Sequence, residues 1–597
     1  MKRVILAIAF VGLAACSSLP ASNSETTADQ RFRAIYEAEW HWRKTIDPAD
    51  GQQDESDAAP GPSTWPRVDS ATQATRLAYW QDVMQRLNAI DPATLSADER
   101  INYGIYREQI AINILRIQFR EHEKPLNADT TFWTTVASSA PRAFLNEAQA
   151  RAFIARLADT PRYFDDEIAN MKLGLARGFT PPRITLEARD RSIIAAYGEK
   201  TPEQSAFYEP FNNLPQSIPV ETRAALQAEA SRVIAERVFP AYAKVHAYYT
   251  TEYFPRTTTN LAATSLPDGD AYYRAQIREY TTLNLTADEI HQIGLREVAR
   301  IRARMEEQKT LAGFTGTLPE FLAFLRTDPQ FYAKTPQELL NRAAWIAKSF
   351  DGKAHLWFGR LPRARFAIRS VPDDIAPFYT AGRGGSGGYL LNTYNLPSRA
   401  LYSLPALTLH ESAPGHSLQI PLAEEQTGQP DFRRRSYISA YGEGWALYTE
   451  LLGEEMGIYE TPYEVFGMLS YQMWRAARLV VDTGVHAKGW SRDQTIQFML
   501  DNTALASHEV TTEVDRYISW PGQALSYYLG EMAIVEARGK AEAALGAKFD
   551  IRFFHDTVLQ LGSVPLPVLA ARIDEWIADG GPDPYADEDE DEDEDED

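Results

Sequence analysis

Residues 286–308 read TADEIHQIGLREVARIRARMEEQ, and this stretch decides the fold class. Thr286 and Glu289 have the spacing of a capping box, in which the hydroxyl accepts from an early helix amide while the carboxylate reaches back to the amide of the cap. From Ala287 to Gln308 apolar residues recur at intervals of three and four, the period of an amphipathic helix. The same opening recurs at Ser96-x-x-Glu99, Thr201-Pro-x-Gln204, Thr335-Pro-x-Glu338, Thr461-Pro-x-Glu464 and Ser491-x-x-Gln494. Pro fits the first helical position because its missing N–H is not needed there. Ala97 to Phe119 is another long amphipathic run. A mainly α-helical protein is therefore expected. Strand signal is sparse, and its best case, Gly388 to Tyr394, stands just ahead of a segment that holds two histidines.

With 597 residues, 44% of them apolar and 11% aromatic, the chain can bury a large interior, and its negative mean hydropathy argues against a polytopic membrane protein. No long polar linker divides the middle, which favours two tightly joined halves over independent domains. The net charge is −22, of which the unbroken acidic run Asp587 to Asp597 supplies eleven charges. Such a run repels itself and reads as a disordered, solvating tail. Nucleic acid is an unsuitable partner, because phosphate binding needs clustered Lys and Arg.

At the other end, Lys2 and Arg3 precede the apolar run Val4 to Ala15, which has the layout of a secretory signal and is short for a membrane span. The run closes in Leu13-Ala14-Ala15-Cys16, which resembles the lipobox of bacterial lipoproteins. That resemblance implies a diacylated Cys16 and attachment to a membrane by lipid. Ser17 follows, as in lipoproteins sorted to the outer membrane and facing the periplasm. Cys16 is the sole cysteine, so disulfide frameworks and CxxC sites are excluded.

Chemistry concentrates in SLPALTLHESAPGHSLQ, residues 403–419. Ser403 is placed to cap and Pro405 comes early, so His410 and Glu411 are expected well inside a helix. In the familiar H-E-x-x-H helix two histidines one turn apart bind zinc, and the intervening Glu is the general base. Here His416 follows His410 by six residues, about 240° of rotation on a regular helix. Pro414 cannot donate to the carbonyl four residues back and Gly415 is conformationally free, so a kink or break is expected between the histidines. Such a break can return His416 to a common metal. Glu443, at the start of another helical stretch, offers the third ligand, two His and one carboxylate leaving zinc a position for water. Glu450, seven residues on, suits the task of orienting a ligating imidazole. A second donor for the oxyanion is sought among His486, Tyr517 and Tyr527, each of which also has a structural reading. Arg478 and Arg516 suit either a substrate carboxylate or core acids. The glycine-rich run 382–388 lacks the ending of a P-loop; it reads either as a flexible loop or, with the strand after it, as an edge for an extended peptide.

The sequence resembles the bacterial domain-of-unknown-function 885 proteins. The matching residues are His410-Glu411-x-x-Pro414-Gly415-His416, Glu443-Gly444-Trp445-Ala446, Val481-Asp482-Thr483-Gly484-Val485-His486 with Gly489-Trp490, and Arg516-Tyr517 with Pro521-Gly522-Gln523-Ala524. The resemblance implies zincin metallopeptidases with a glutamate third ligand, and a helical, oligopeptidase-related fold with a deep cleft.

The expected organisation is a lipoprotein signal peptide at 1–15, a lipid anchor and irregular tether with an early helix at 16–66, an N-terminal helical region at 67–275, a catalytic helical region at 276–580 and an acidic tail at 581–597. The expected function is zinc-dependent hydrolysis of peptide bonds at the bacterial envelope, with zinc-bound water as nucleophile, Glu411 as general base and His410, His416 and Glu443 as ligands. A cell-wall peptide amidase or carboxypeptidase, and a non-catalytic peptide- or metal-binding lipoprotein, are the alternatives.

Overall fold

The computed structural model describes residues 27–46, 59–373 and 376–586. The expected signal peptide, Cys16 and the acidic run from Asp587 lie outside them. Helices dominate, as expected, with a single three-stranded sheet among the described residues. None of the described helices is long and apolar enough to cross a membrane.

Seven helices build the candidate site: α1 (Ala287–Leu311), α2 (Leu404–Glu411), α3 (His416–Glu424), α4 (Ser439–Glu455), α5 (Pro462–Lys488), α6 (Ser507–Ser519) and α7 (Ser526–Leu545). Their beginnings follow local chemistry. Thr286 and Thr461 form reciprocal capping boxes with Glu289 and Glu464. The Thr201 box opens only a single 3-10 turn. At Ser96 and Ser491 only the hydroxyl half of the box is made. The Glu99 carboxylate is instead drawn into the core by Arg33 and Asn102. A further reciprocal box, Thr317 with Glu320, has the same spacing and was not anticipated.

α5 is buried along most of its length, including Arg475, Arg478, Asp482 and His486. A helix buried all round is a core element rather than an amphipathic shell. It packs along α1, while α4 packs along α7. In the second pair the backbones nearly touch: a Cβ on Gly444 would meet the Gly530 carbonyl carbon at 2.4 Å.

Two hydrophobic cores result. The larger gathers residues 28–117 with most of the chain beyond 263, and the smaller holds Trp65 and residues between Leu126 and Tyr253. The early helix Ala28–Ile46 thus shares the larger core with residues beyond 263.

In the sheet, β1 (Ala367–Ser370) pairs parallel with β3 (Gly388–Leu391), and β2 (Gly382–Arg383) pairs antiparallel on its other side, Gly382 opposite Leu391. The expected strand 388–394 ends at Leu391, and just beyond it the Asn392 side chain donates to the carbonyls of Ala376, Tyr379 and Thr380. β3 lies in the middle of the sheet, so the edge expected there is corrected: the free edges belong to β1 and β2.

Candidate metal centre

The break between the histidines is present. α2 stops at Glu411, the chain turns through Ser412 to Gly415, and α3 begins at His416. Gly415 N–H donates to the Leu409 carbonyl at 3.0 Å. A Cβ on Gly415 would stand 1.9 Å from the His410 carbonyl oxygen, so this return path is open only to glycine. His410 and Glu411 therefore sit at the C-terminal end of a short helix, not well inside a long one. Ser403 stands at the N-cap position but its hydroxyl makes no cap bond; it donates to the Ala400 carbonyl instead.

The turn brings the imidazoles together, ring centroids 5.0 Å apart and planes nearly perpendicular. His410, Glu411 and His416 can each offer a ligand atom within 4.8 Å of the others. From α4, Glu443 Oε2 lies 3.4 Å from His410 Nε2 and 3.5 Å from His416 Nε2. Both buried imidazoles thus present Nε2 to the same carboxylate oxygen. His410 Nδ1 donates to Glu450 Oε1 at 2.8 Å. That bond fixes the tautomer when the ring is neutral, directing the Nε2 lone pair at Glu443. Glu450 is thus where the seven-residue spacing on α4 put it, and Arg475 on α5 approaches its Oε1 at 3.8 Å.

Burial works against the His410 imidazolium, but hydrogen bonds to Glu443 and Glu450 and the charge of Glu411 outweigh it and hold its pKa up at about 10. Burial likewise pushes the Glu443 carboxyl up, and the two histidines overcome this and hold it well below the usual range. The surrounding carboxylates thus favour positive charge at the His410 ring.

Glu411 is held from the other side. Gly384 N–H, in the turn between β2 and β3, donates to Glu411 Oε2 at 2.6 Å. A Cβ at Gly384 would fall 1.6 Å from the Glu411 carbonyl oxygen, so the loop approaches this closely because it is glycine. One carboxylate oxygen is thereby anchored by main chain.

The three expected oxyanion donors separate. His486 is wholly buried, accepts at Nδ1 from Ala263 N–H (3.0 Å) and donates from Nε2 to the Tyr517 carbonyl (2.9 Å). Both ring nitrogens clamp main chain, and burial lowers its pKa to about 4. The Tyr517 hydroxyl accepts from Trp474 Nε1 and Arg478 Nε, each at 2.9 Å, and donates to Glu513 at 2.8 Å, so it too is committed. Tyr527 lies beside the Arg478 guanidinium and interacts with Arg516. Tyr437 was missed: its ring is half exposed and its hydroxyl donates to Glu443 Oε1 at 3.2 Å. It precedes α4 with no periodic partner, so only its nearness to Glu443 in sequence could have flagged it. Tyr437 also lines two neighbouring cavities of about 310 and 320 Å³.

The chain superposes on the crystal structure of a candidate lipoprotein from Colwellia psychrerythraea with a TM-score of 0.83 at 26% identity, covering 93% of this chain and all of that one. A candidate lipoprotein of unknown function from Shewanella oneidensis has the same fold, with a TM-score of 0.68 at 17% identity and coverage of 91% of this chain and 99% of that one. No curated protein matches. Residues 55–573 match the family described as bacterial protein of unknown function, DUF885, and the chain belongs to that family.

Proposed function

We propose that this chain is a zinc-dependent peptidase, held at a bacterial envelope by lipid on Cys16 and facing the periplasm from the outer membrane. One observation carries the reading. Three ligand atoms about 2.05 Å from zinc at tetrahedral angles stand about 3.3 Å apart, and Glu443 Oε2 lies 3.4 and 3.5 Å from the two Nε2 atoms. Two imidazoles and a carboxylate, with an acidic partner behind one imidazole, form a donor set suited to zinc with an open position. Zinc, when bound, supplies Lewis-acid chemistry, acidifying water and polarising a carbonyl.

The chain's own groups do the rest. Glu411, fixed through Gly384, takes the proton from the attacking water and hands it to the departing amine. Glu450 keeps His410 in the ligating tautomer. Tyr437, half exposed with a 3.2 Å bond to Glu443 that it can exchange for the oxyanion, and Tyr527 are the candidate donors, since the polar atoms of His486 and Tyr517 are committed inside the core. The anchor is supported by the signal layout ending at Cys16 and by the description of both structural relatives as lipoproteins.

Glu411→Gln should leave zinc bound and abolish peptide hydrolysis, measured by mass spectrometry of a mixed oligopeptide pool alongside metal analysis. A zinc-loaded Glu411→Gln protein with full turnover would show that the base lies elsewhere.

A further inference from the structure

Beside the metal ligands lies a second polar cluster that the chemistry at Glu411 does not use. Arg478 on α5 and Arg516 on α6 share one carboxylate, Glu513: Arg478 Nη2 is 2.9 Å and Arg516 Nη1 3.5 Å from it. Two fixed positive charges thus face one negative charge. A further acid, Glu509, is pushed up to about 7 by burial and by the charge of Glu513, so it offsets the excess only in part. Excess charge in a protein interior is costly unless a ligand completes it.

The donors point the same way. Arg478 is 2% exposed, yet its Nη1 has no hydrogen-bond partner, and neither does the buried Nε of Arg516. A buried guanidinium with an unused N–H is a vacancy for an acceptor, and carboxylates are the acceptors that guanidinium forks match best. Glu513 and Arg516 still keep 16% and 21% of their side-chain surface, so the cluster is reached from solvent. The guanidinium of Arg478 lies 4.5 Å from the Trp474 and Tyr527 ring centroids, which hold its plane rigidly.

The cluster adjoins the metal ligands along two routes. Tyr527 influences the Tyr437 hydroxyl, which bonds Glu443. Arg475, one turn before Arg478 on α5, approaches Glu450, which bonds His410. We infer that Arg478 and Arg516 receive the C-terminal carboxylate of a peptide, so that the protein trims peptides from their free C-terminal ends instead of cutting within long chains. The inference rests on the peptidase reading and supplies its substrate class. Hydrolysis adds one water across a peptide bond near that end, hydroxyl to the carbonyl carbon and hydrogen to the leaving nitrogen.

The test is binding of acetyl-Ala-Ala-Phe-Ala, as free acid and as C-terminal amide, to the zinc-loaded full chain carrying Glu411→Gln, by calorimetry. The acid should bind about 10- to 100-fold more tightly than the amide, the worth of a charge-assisted hydrogen bond. Adding Arg516→Gln should collapse the ratio toward one, and Arg516→Lys should restore part of it. A merely structural Arg516 would weaken both peptides alike, so the ratio separates the roles even if the variant is less stable. Equal affinity for acid and amide, a preference that survives both Arg516→Gln and Arg478→Gln, or binding of neither peptide overturns the inference. Cleavage of both peptides equally by the parent protein would leave the peptidase reading standing without this specificity; absence of bound zinc would remove both.

Discussion

Replacing Glu450 with Gln tests the machinery behind the metal ligands without touching a ligand. Glu450 is wholly buried and accepts from His410 Nδ1 at 2.8 Å. Gln keeps the shape and an acceptor oxygen but removes the charge. A hydrogen bond to a charged group contributes about 1.5–3 kcal/mol and a neutral one about 0.5–1.5 kcal/mol, so the variant loses about 1.4 kcal/mol at His410. Zinc affinity should then fall about tenfold. Glu450→Ala removes the acceptor altogether and strands Arg475, whose Nε and Nη1 already lack partners. It should weaken zinc binding about 100-fold and destabilise the fold by about 3 kcal/mol. Competition against a chromophoric chelator gives the zinc affinities, and urea unfolding of the metal-free proteins gives the stability change. Zinc affinity unchanged in Glu450→Gln, with the fold intact, would refute the role given to this carboxylate.

Other predictions follow from single contacts. Gly415→Ala should lose zinc while retaining most helix content by circular dichroism, because its Cβ would fall 1.9 Å from the His410 carbonyl. Gly384→Ala should keep zinc but lose most peptide hydrolysis, since it displaces the amide that anchors Glu411. Tyr437→Phe should lower kcat more than it raises KM if its hydroxyl serves the oxyanion, roughly 100-fold in kcat by steady-state kinetics. His486, neutral in the fold with its pKa lowered to about 4 by burial, binds fewer protons than the unfolded chain between pH 6.5 and 4. Its contribution is full above pH 6.5 and is lost as pH falls, about 3 kcal/mol in all. In urea titrations across that range His486→Gln should be less stable at pH 7 but show a shallower acid slope than the parent.

Much of this architecture could be read from residues in order. Hydroxyl and Glu pairs marked the starts of helices because caps are local, and Pro414-Gly415 marked the break because each residue's backbone limits are its own. Glu450 was legible because seven residues is two turns of one helix. What escaped depended on partners distant in sequence. Gly384 contributes only a backbone N–H, which no side-chain pattern advertises. His486 and Tyr517 stand in a conspicuous motif, yet their polar atoms are spent on Ala263, on each other's segments and on Glu513, and only the folded chain shows that. Ser403 had the residue type and position of a cap but a backbone that aims its hydroxyl at Ala400.

The most direct test of the central claim is metal content per chain in the purified full-length protein, compared with His410→Ala and Glu443→Ala. The account predicts about one zinc per chain in the parent, as expected of a three-ligand site, and its loss in both variants. A parent that stays metal-free after zinc is supplied, or variants that keep it, would contradict the peptidase assignment at its root.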